Sequence, residues 1–175
     1  MKKKLLLLFS SAMLLGSANA AESTNRLHFP VAGFTIAPLE APPGESTQLA
    51  LTMCLPGTDG FAANVNVQIQ PYTGTIEDYV ALSLQEFKSA GLKVLEQRAP
   101  AKSVAVFEVT GESQGRPLHW YSRAEKSGSR VYLVTATAAP AQWIKEAARL
   151  KSCVESFRCE GGEPGAPPNA APPRR

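Results

Sequence analysis

Gly111-Glu112-Ser113-Gln114-Gly115 has the spacing of a G-x-S-x-G nucleophile elbow. Such an elbow sets a serine on a strained strand-to-helix turn, with an acid and then a histidine downstream. Here a strand pattern follows the second glycine, and Asp78 is the last aspartate of the chain. The same five residues fit a glycine-bounded hairpin turn, and that is the expectation. His28 and His119 are the two imidazoles, each isolated in a strand-like stretch, where a histidine packs half-exposed. There is no C-x-x-C pair, no D-x-D-x-D loop and no phosphate-binding glycine loop. No metal or other cofactor is therefore expected, and no catalytic residue is assigned.

Three cysteines, Cys54, Cys153 and Cys159, allow one disulfide and one leftover thiol. Cys153–Cys159 requires the last helix to end by about Phe157, because six residues of intact helix hold the Cα atoms too far apart. Cys54–Cys159 would instead tie a loop to the chain end. Both pairings stay open. Trp120, Tyr121 and Arg123 are residue types enriched where proteins recognise partners. Trp120 alternates with Leu118 and is expected in the core. Tyr121 and Arg123 point the other way with His119 and are the candidate binding residues. Glu96, Glu108, Glu112 and Glu125 lie in or beside strands, where they are expected to decorate solvated faces or edges.

The elements that position these residues centre on residues 64–91. Asn64-Val65-Asn66-Val67-Gln68-Ile69-Gln70 alternates polar and apolar, the pattern of a strand with one buried face. Turn residues follow, and Thr75 with Asp78 has the spacing of a capping box. Ile76, Tyr79, Val80, Leu84 and Phe87 recur at helical spacing, and Gly91 ends the helix. Before this unit come strand candidates at residues 34–37 and 47–55, the latter with Leu49, Leu51 and Met53 on one face. After it come four strands, two of which (103–110 and 131–138) are apolar on both faces and so require cover on both sides. A second helix starts at Pro140 with a stripe of Trp143, Ala147, Leu150, Val154 and Phe157. Short turns between successive strands imply antiparallel pairing. The expected fold is α+β: an α/β/α sandwich around an antiparallel sheet, with one long helix after the third strand and one C-terminal helix.

The termini bound the domain. Lys2, Lys3 and Lys4, an apolar run to Leu15 and the small residues Gly16-Ser17-Ala18-Asn19-Ala20 read as a secretory signal over residues 1–20, too short to span a bilayer. Removing it takes three lysines and no acid from 18 basic and 15 acidic residues, leaving the two signs equal. No basic field remains to draw nucleic acid, and no second stretch could form a transmembrane anchor. Residues 21–159 form one domain, and residues 160–175 a Pro-rich tail without apolar periodicity. The expected location is periplasmic or secreted.

Phe61-Ala62-Ala63-Asn64-Val65-Asn66-Val67 running into Thr75-Ile76-Glu77-Asp78-Tyr79, then Tyr132-Leu133-Val134-Thr135-Ala136 before Trp143 and Val154-Glu155-Ser156-Phe157, resembles the PsbP-like / Mog family. The exported bacterial members of the DcrB and LpqN kind are the nearest in character. The resemblance spans roughly residues 27–158 and rests on packing and capping patterns. It implies an α/β/α sandwich and a non-enzymatic binding or assembly role, with no catalytic residues to carry over. The chain departs from lipoprotein members in having no cysteine near the signal's end. The expectation is an exported, non-catalytic binding or accessory protein whose partner is another envelope protein. The alternatives are a hydrolase, or a small-molecule or metal carrier, using a cleft near residues 111–125.

Overall fold

The structure, a computed structural model, describes residues 26–39 and 44–159. The expected signal (1–20) and Pro-rich tail (160–175) lie outside the described residues. Residues up to Pro42 and those from Pro43 onward form two units. The described part of the first is a hairpin of β1 (Leu27–Phe29) and β2 (Phe34–Ile36). Gly33 takes the positive φ of its turn, and the Phe29 and Phe34 rings stack at 4.8 Å.

The second unit holds β3 (Gln48–Cys54), β4 (Asn64–Pro71), α1 (Ile76–Ser89), β5 (Lys93–Ala101), β6 (Val104–Ser113), β7 (Arg116–Ser127), β8 (Arg130–Ala138) and α2 (Pro140–Glu155). Its six strands form one sheet in the order β3-β4-β8-β7-β6-β5, with every neighbour antiparallel. Because residues 27–29 form a strand of their own, α1 follows the fourth strand rather than the third.

The doubly apolar strands explain the layering. Val104, Val106, Val134, Ala136 and Ala138 pack with Trp143, Leu150 and Val154 of α2. Their alternates Ala105, Phe107, Val109 and Val131 pack with Ile76 and Tyr79 of α1. The helices therefore sit on opposite faces of the sheet. Helix α1 starts on the capping box that its sequence requires. Thr75 Oγ1 accepts from the Asp78 N–H and Asp78 Oδ2 from the Thr75 N–H, each at 3.1 Å. Gly91, at φ +68°, follows the C-cap Ala90.

Two local departures from the sequence pattern matter below. The β3–β4 register shifts between Leu49 and Leu51, so Leu49 stands opposite Gln68 while Leu51 stands opposite Val67. Leu49 is thereby turned to the α1 side, away from Leu51 and Met53, and is 65% exposed. The turn after β6 is shorter than the glycine spacing suggests. Gly111 lies inside β6 against Leu92, and Gln114 and Gly115 alone turn the chain at φ +53° and +73°.

Thr75→Ala removes the acceptor for the Asp78 N–H. It is expected to lower unfolding stability by about 1 kcal/mol, measured as a lower urea midpoint with an unchanged slope.

Candidate functional site

Six strands about 4.8 Å apart span about 24 Å, whereas a helix with its side chains is about 10–12 Å wide. One helix per face cannot cover such a sheet. Helix α1 lies over β5 and β6, and α2 over β7, β8 and β4. Each face therefore has an uncovered half, and the two halves are dressed differently.

On the α1 side, the alternating strand β4 turns Asn64, Asn66, Gln68 and Gln70 toward the open half, because Val65 and Val67 are taken by the α2 core. Cross-strand pairing sets Thr52, Asn66, Thr135 and Ser122 in one row. Ser122 Oγ and Thr135 Oγ1 share a hydrogen bond of 3.1 Å, and Asn66 Oδ1 is a buried acceptor without a partner. Between this row and α1 runs a groove of about 480 Å³. Its walls include Tyr72, Tyr79, Leu82, Trp120 and Leu133, with Ser122 and Thr135 among its polar lining. The Tyr72 and Tyr79 rings meet edge to face at 5.2 Å, and the Tyr79 hydroxyl donates to Gln70 Oε1 at 2.8 Å. Burial pushes the Tyr79 hydroxyl up to about 12, so it stays a neutral donor. Glu86 is the single charged residue in the lining.

On the α2 side, the margin along which α2 meets β6 and β7 carries charge in pairs. His119 Nε2 meets Glu108 Oε1 at 2.7 Å, and Lys151 Nζ donates to Glu108 Oε2 at 2.6 Å. The His119 ring stacks on Trp143 with centroids 3.9 Å apart. Farther along α2, Glu155 accepts from the Tyr121 hydroxyl and from Arg98 (2.6 Å), and Arg123 bonds Glu125 at 2.8 Å. Burial raises the Glu108 carboxyl, but the bonds from Lys151 and His119 more than offset it and leave it below the usual range. Burial lowers His119 despite the Glu108 carboxylate beside it. Each charged group in this lattice faces an opposite one, which ties α2 to the sheet, while the buried Arg123 Nε has no hydrogen-bond partner.

The residues singled out in the sequence are distributed accordingly. Tyr121 is 3% exposed and bonded to Glu155, and Arg123 is half-buried between Glu125 and Glu155. Both were expected to form a recognition surface, and both are instead turned into the contact with α2. Glu108 corrects its expected place on a solvated face: it is buried because α2 brings Lys151 over it. Ser113 is exposed at the end of β6, opposite Arg116, while His119 is engaged with Glu108 and Trp143. His28 lies in the separate β1–β2 hairpin.

Cys54, Cys153 and Cys159 are unbridged in the structure, and α2 ends at Glu155, as a Cys153–Cys159 pairing would require. Cys54 lies on β3, three strands and about 14 Å from β7, whereas the Cys159 N–H donates to Glu125 of β7. Bridged cysteines need Cα atoms within about 7 Å. Cys153 packs against the α2-side core, and burial with the Glu125 carboxylate pushes the Cys159 thiol up to about 12. Among the described residues, no group of three or more His, Cys, Asp or Glu side chains is placed to hold a metal ion.

A second pocket, of about 520 Å³, lies at the start of α2. Its Arg116 is occupied by the Asp59 carbonyl (3.1 Å) and the Phe61 ring, and its Arg149 by Glu146 at 3.9 Å. That pocket also carries the exposed Lys145; the groove beside α1, walled by aromatic rings and lined by a single charge, is the candidate site. Sequence reasoning named Trp120 only as core and passed over Ser122 and Thr135. Its available signal was the run of amides on the polar face of β4.

No protein-family model matches the chain, and no curated protein matches it significantly. A solved structure of a Pseudomonas aeruginosa protein of unknown function is similar, at 15% sequence identity and a TM-score of 0.57. The match covers 78% of this chain and 96% of that one. The likeness is one of fold. Among the described residues, no helix is long and apolar enough to cross a membrane.

The lattice predicts the direction of pH dependence. A histidine held neutral by burial stabilises fully above its unfolded value, near 6.5, and that contribution is lost as pH falls below it. A depressed glutamate contributes above its unfolded value and loses that contribution as pH falls through its folded one. Both act in the same sense. The urea midpoint is expected to hold between about pH 8 and 7 and to drop from about pH 6.5 downward. His119→Gln is expected to flatten the part above about pH 5 and leave the steeper acid loss.

Proposed function

We propose that this chain is an exported, non-catalytic binding or accessory protein of the cell envelope, and that it holds an uncharged, amphipathic ligand or partner segment in the groove beside α1. The observation that carries this is the lining itself. Aromatic and aliphatic walls stand beside hydroxyls and the Gln70 amide, with Glu86 the only charge in the lining. Sites of this kind bind through apolar contact and use a few polar groups to orient what they hold. A strongly anionic ligand would find no cation there, and a purely aliphatic one would leave the polar lining with no partner beyond the Ser122–Thr135 bond.

Export rests on the signal pattern of residues 1–20. The non-catalytic role is supported by the G-x-S-x-G stretch forming the end of a strand and a tight turn, and by the His119 pairing away from Ser113. The resemblance to PsbP-like / Mog proteins points the same way, though fold-level likeness carries little about a particular partner.

N-phenyl-1-naphthylamine, an uncharged amphipathic fluorophore, is expected to bind saturably with enhanced emission and to quench Trp120. Thr135→Trp, which fills the groove floor, is expected to weaken this at least tenfold. Lys145→Ala, at the other pocket, should leave it unchanged. Absence of saturable binding, or equal binding by Thr135→Trp, would overturn the assignment.

A further inference from the structure

Three groups in the lining of the groove beside α1 have nothing to hold. Among the described residues, the Tyr72 hydroxyl and the Trp120 indole N–H make no hydrogen bond, and no cation pairs with Glu86. A proline-rich segment followed by cations answers all three. Its rings are apolar, its carbonyls accept hydrogen bonds, and its prolines carry no N–H that would need an acceptor. In extended form it makes no internal hydrogen bonds, and aromatic-lined grooves receive such segments. Within residues 160–175, Pro167-Pro168 and Pro172-Pro173 are followed directly by Arg174 and Arg175.

We propose that residues 166–175 dock into the groove beside α1 of their own chain and compete there with an external ligand. The proposal deepens the binding reading of this groove and rests on it. The course of the chain favours this occupant. The Cys159 N–H donates to Glu125, which stands opposite Tyr132, which in turn stands opposite Ile69. The chain therefore leaves the α2 face near the sheet end that Pro71 and Arg130 mark. At that same end the Tyr72 N–H donates to the Ser129 carbonyl, and Tyr72 opens the groove. Glu160-Gly161-Gly162-Glu163-Pro164-Gly165 reaches up to about 20 Å when extended, roughly twice the thickness of one packed layer. From the Pro71–Arg130 pair to the Trp120–Thr137 pair the sheet runs seven residues of β8, about 24 Å. Ala166 to Pro173 covers about 22 Å in polyproline II form. The match sets Pro167-Pro168 on the Tyr72–Tyr79 pair and Pro172-Pro173 at Trp120. Arg174 and Arg175 then come to Glu86, two helical turns beyond Tyr79. Covalent attachment places the segment at an effective concentration near the millimolar range, ahead of a free peptide or the same segment of a second copy.

The test uses the full chain lacking residues 1–20, unmodified and with Pro167→Ser, Pro168→Ser, Pro172→Ser and Pro173→Ser together. The four-serine chain is expected to bind N-phenyl-1-naphthylamine at least threefold more tightly, because the competing segment is released. In heteronuclear NMR spectra the Trp120 indole N–H resonance is expected to shift between the two chains, while that of Trp143, on the α2 side, stays in place. The Trp120 shift should be the same from about 20 to 500 µM, below the effective concentration of an attached segment. A shift that grows with concentration would assign the segment to a second copy and overturn docking within the chain. Equal fluorophore affinity in the two chains, or an unmoved Trp120 resonance, would overturn the docking and leave the groove reading standing. Absence of saturable fluorophore binding in both chains would overturn the groove reading, and the docking with it.

Discussion

One helix is too narrow to roof a six-stranded sheet, and the rest of this structure follows from how that deficit is shared. The two helices do not lie over the same strands. Helix α1 takes the β5–β6 end of one face and α2 the β7–β8–β4 part of the other. Each strand of the middle therefore has one well-packed side, and the uncovered halves lie diagonally across the sheet. Backbone hydrogen bonding keeps such a sheet intact, but the side chains of the open halves must tolerate water. The chain meets that requirement in two chemically distinct ways.

Along the edge of α2, toward β6 and β5, the answer is ionic. Glu108, Glu125, Glu155, Lys151, Arg98 and Arg123 meet along α2 and neutralise one another. The buried members are Glu108, Arg123 and Glu125, whose pairing matters most because an unpaired buried charge is costly; Arg98, Lys151 and Glu155 are each a third or more exposed and are screened by water. The lattice also fixes where the last turns of α2 rest, because Lys151 and Glu155 lie one helical turn apart and grip different strands. Over β4–β8 the answer is neutral. Amides and hydroxyls bind to one another without claiming a fixed counter-ion, which leaves a surface open to other hydrogen-bonding partners. The same geometric shortfall thus produces a clamp on one side and a groove on the other.

The β3 edge belongs to the neutral half. The register shift at its start turns Leu49 to the groove side, so the open floor runs out to the sheet margin without a charged border. The opposite margin, beside the ionic half, is closed by Lys93, Glu96, Arg98 and Pro100. Charge is concentrated at one end of the molecule's sheet and withheld from the other.

Local pattern determined much of this. The capping box of Thr75 and Asp78, the stripe from Ile76 to Phe87, the Pro140 start of α2 and the two-sided apolar strands are properties of residues within a few positions of one another, and the sequence carries them in full. The sandwich follows, because doubly apolar strands must be covered twice. Strand alternation also told which residues share a face: His119, Tyr121 and Arg123 do lie on one side. It could not tell which half of that face a helix would cover. That depends on β8 pairing beside β4, far away in the chain (Asn64 with Thr137, Pro71 with Arg130), and on α2 lying back across β7. Only this long-range placement turned Tyr121 and Arg123 inward and buried Glu108 under Lys151. It also kept Cys54 apart from Cys159 and left Ser122 and Thr135 at the floor of a groove. Period-two alternation fixes the side of a sheet, while burial is decided by what the rest of the chain lays upon it.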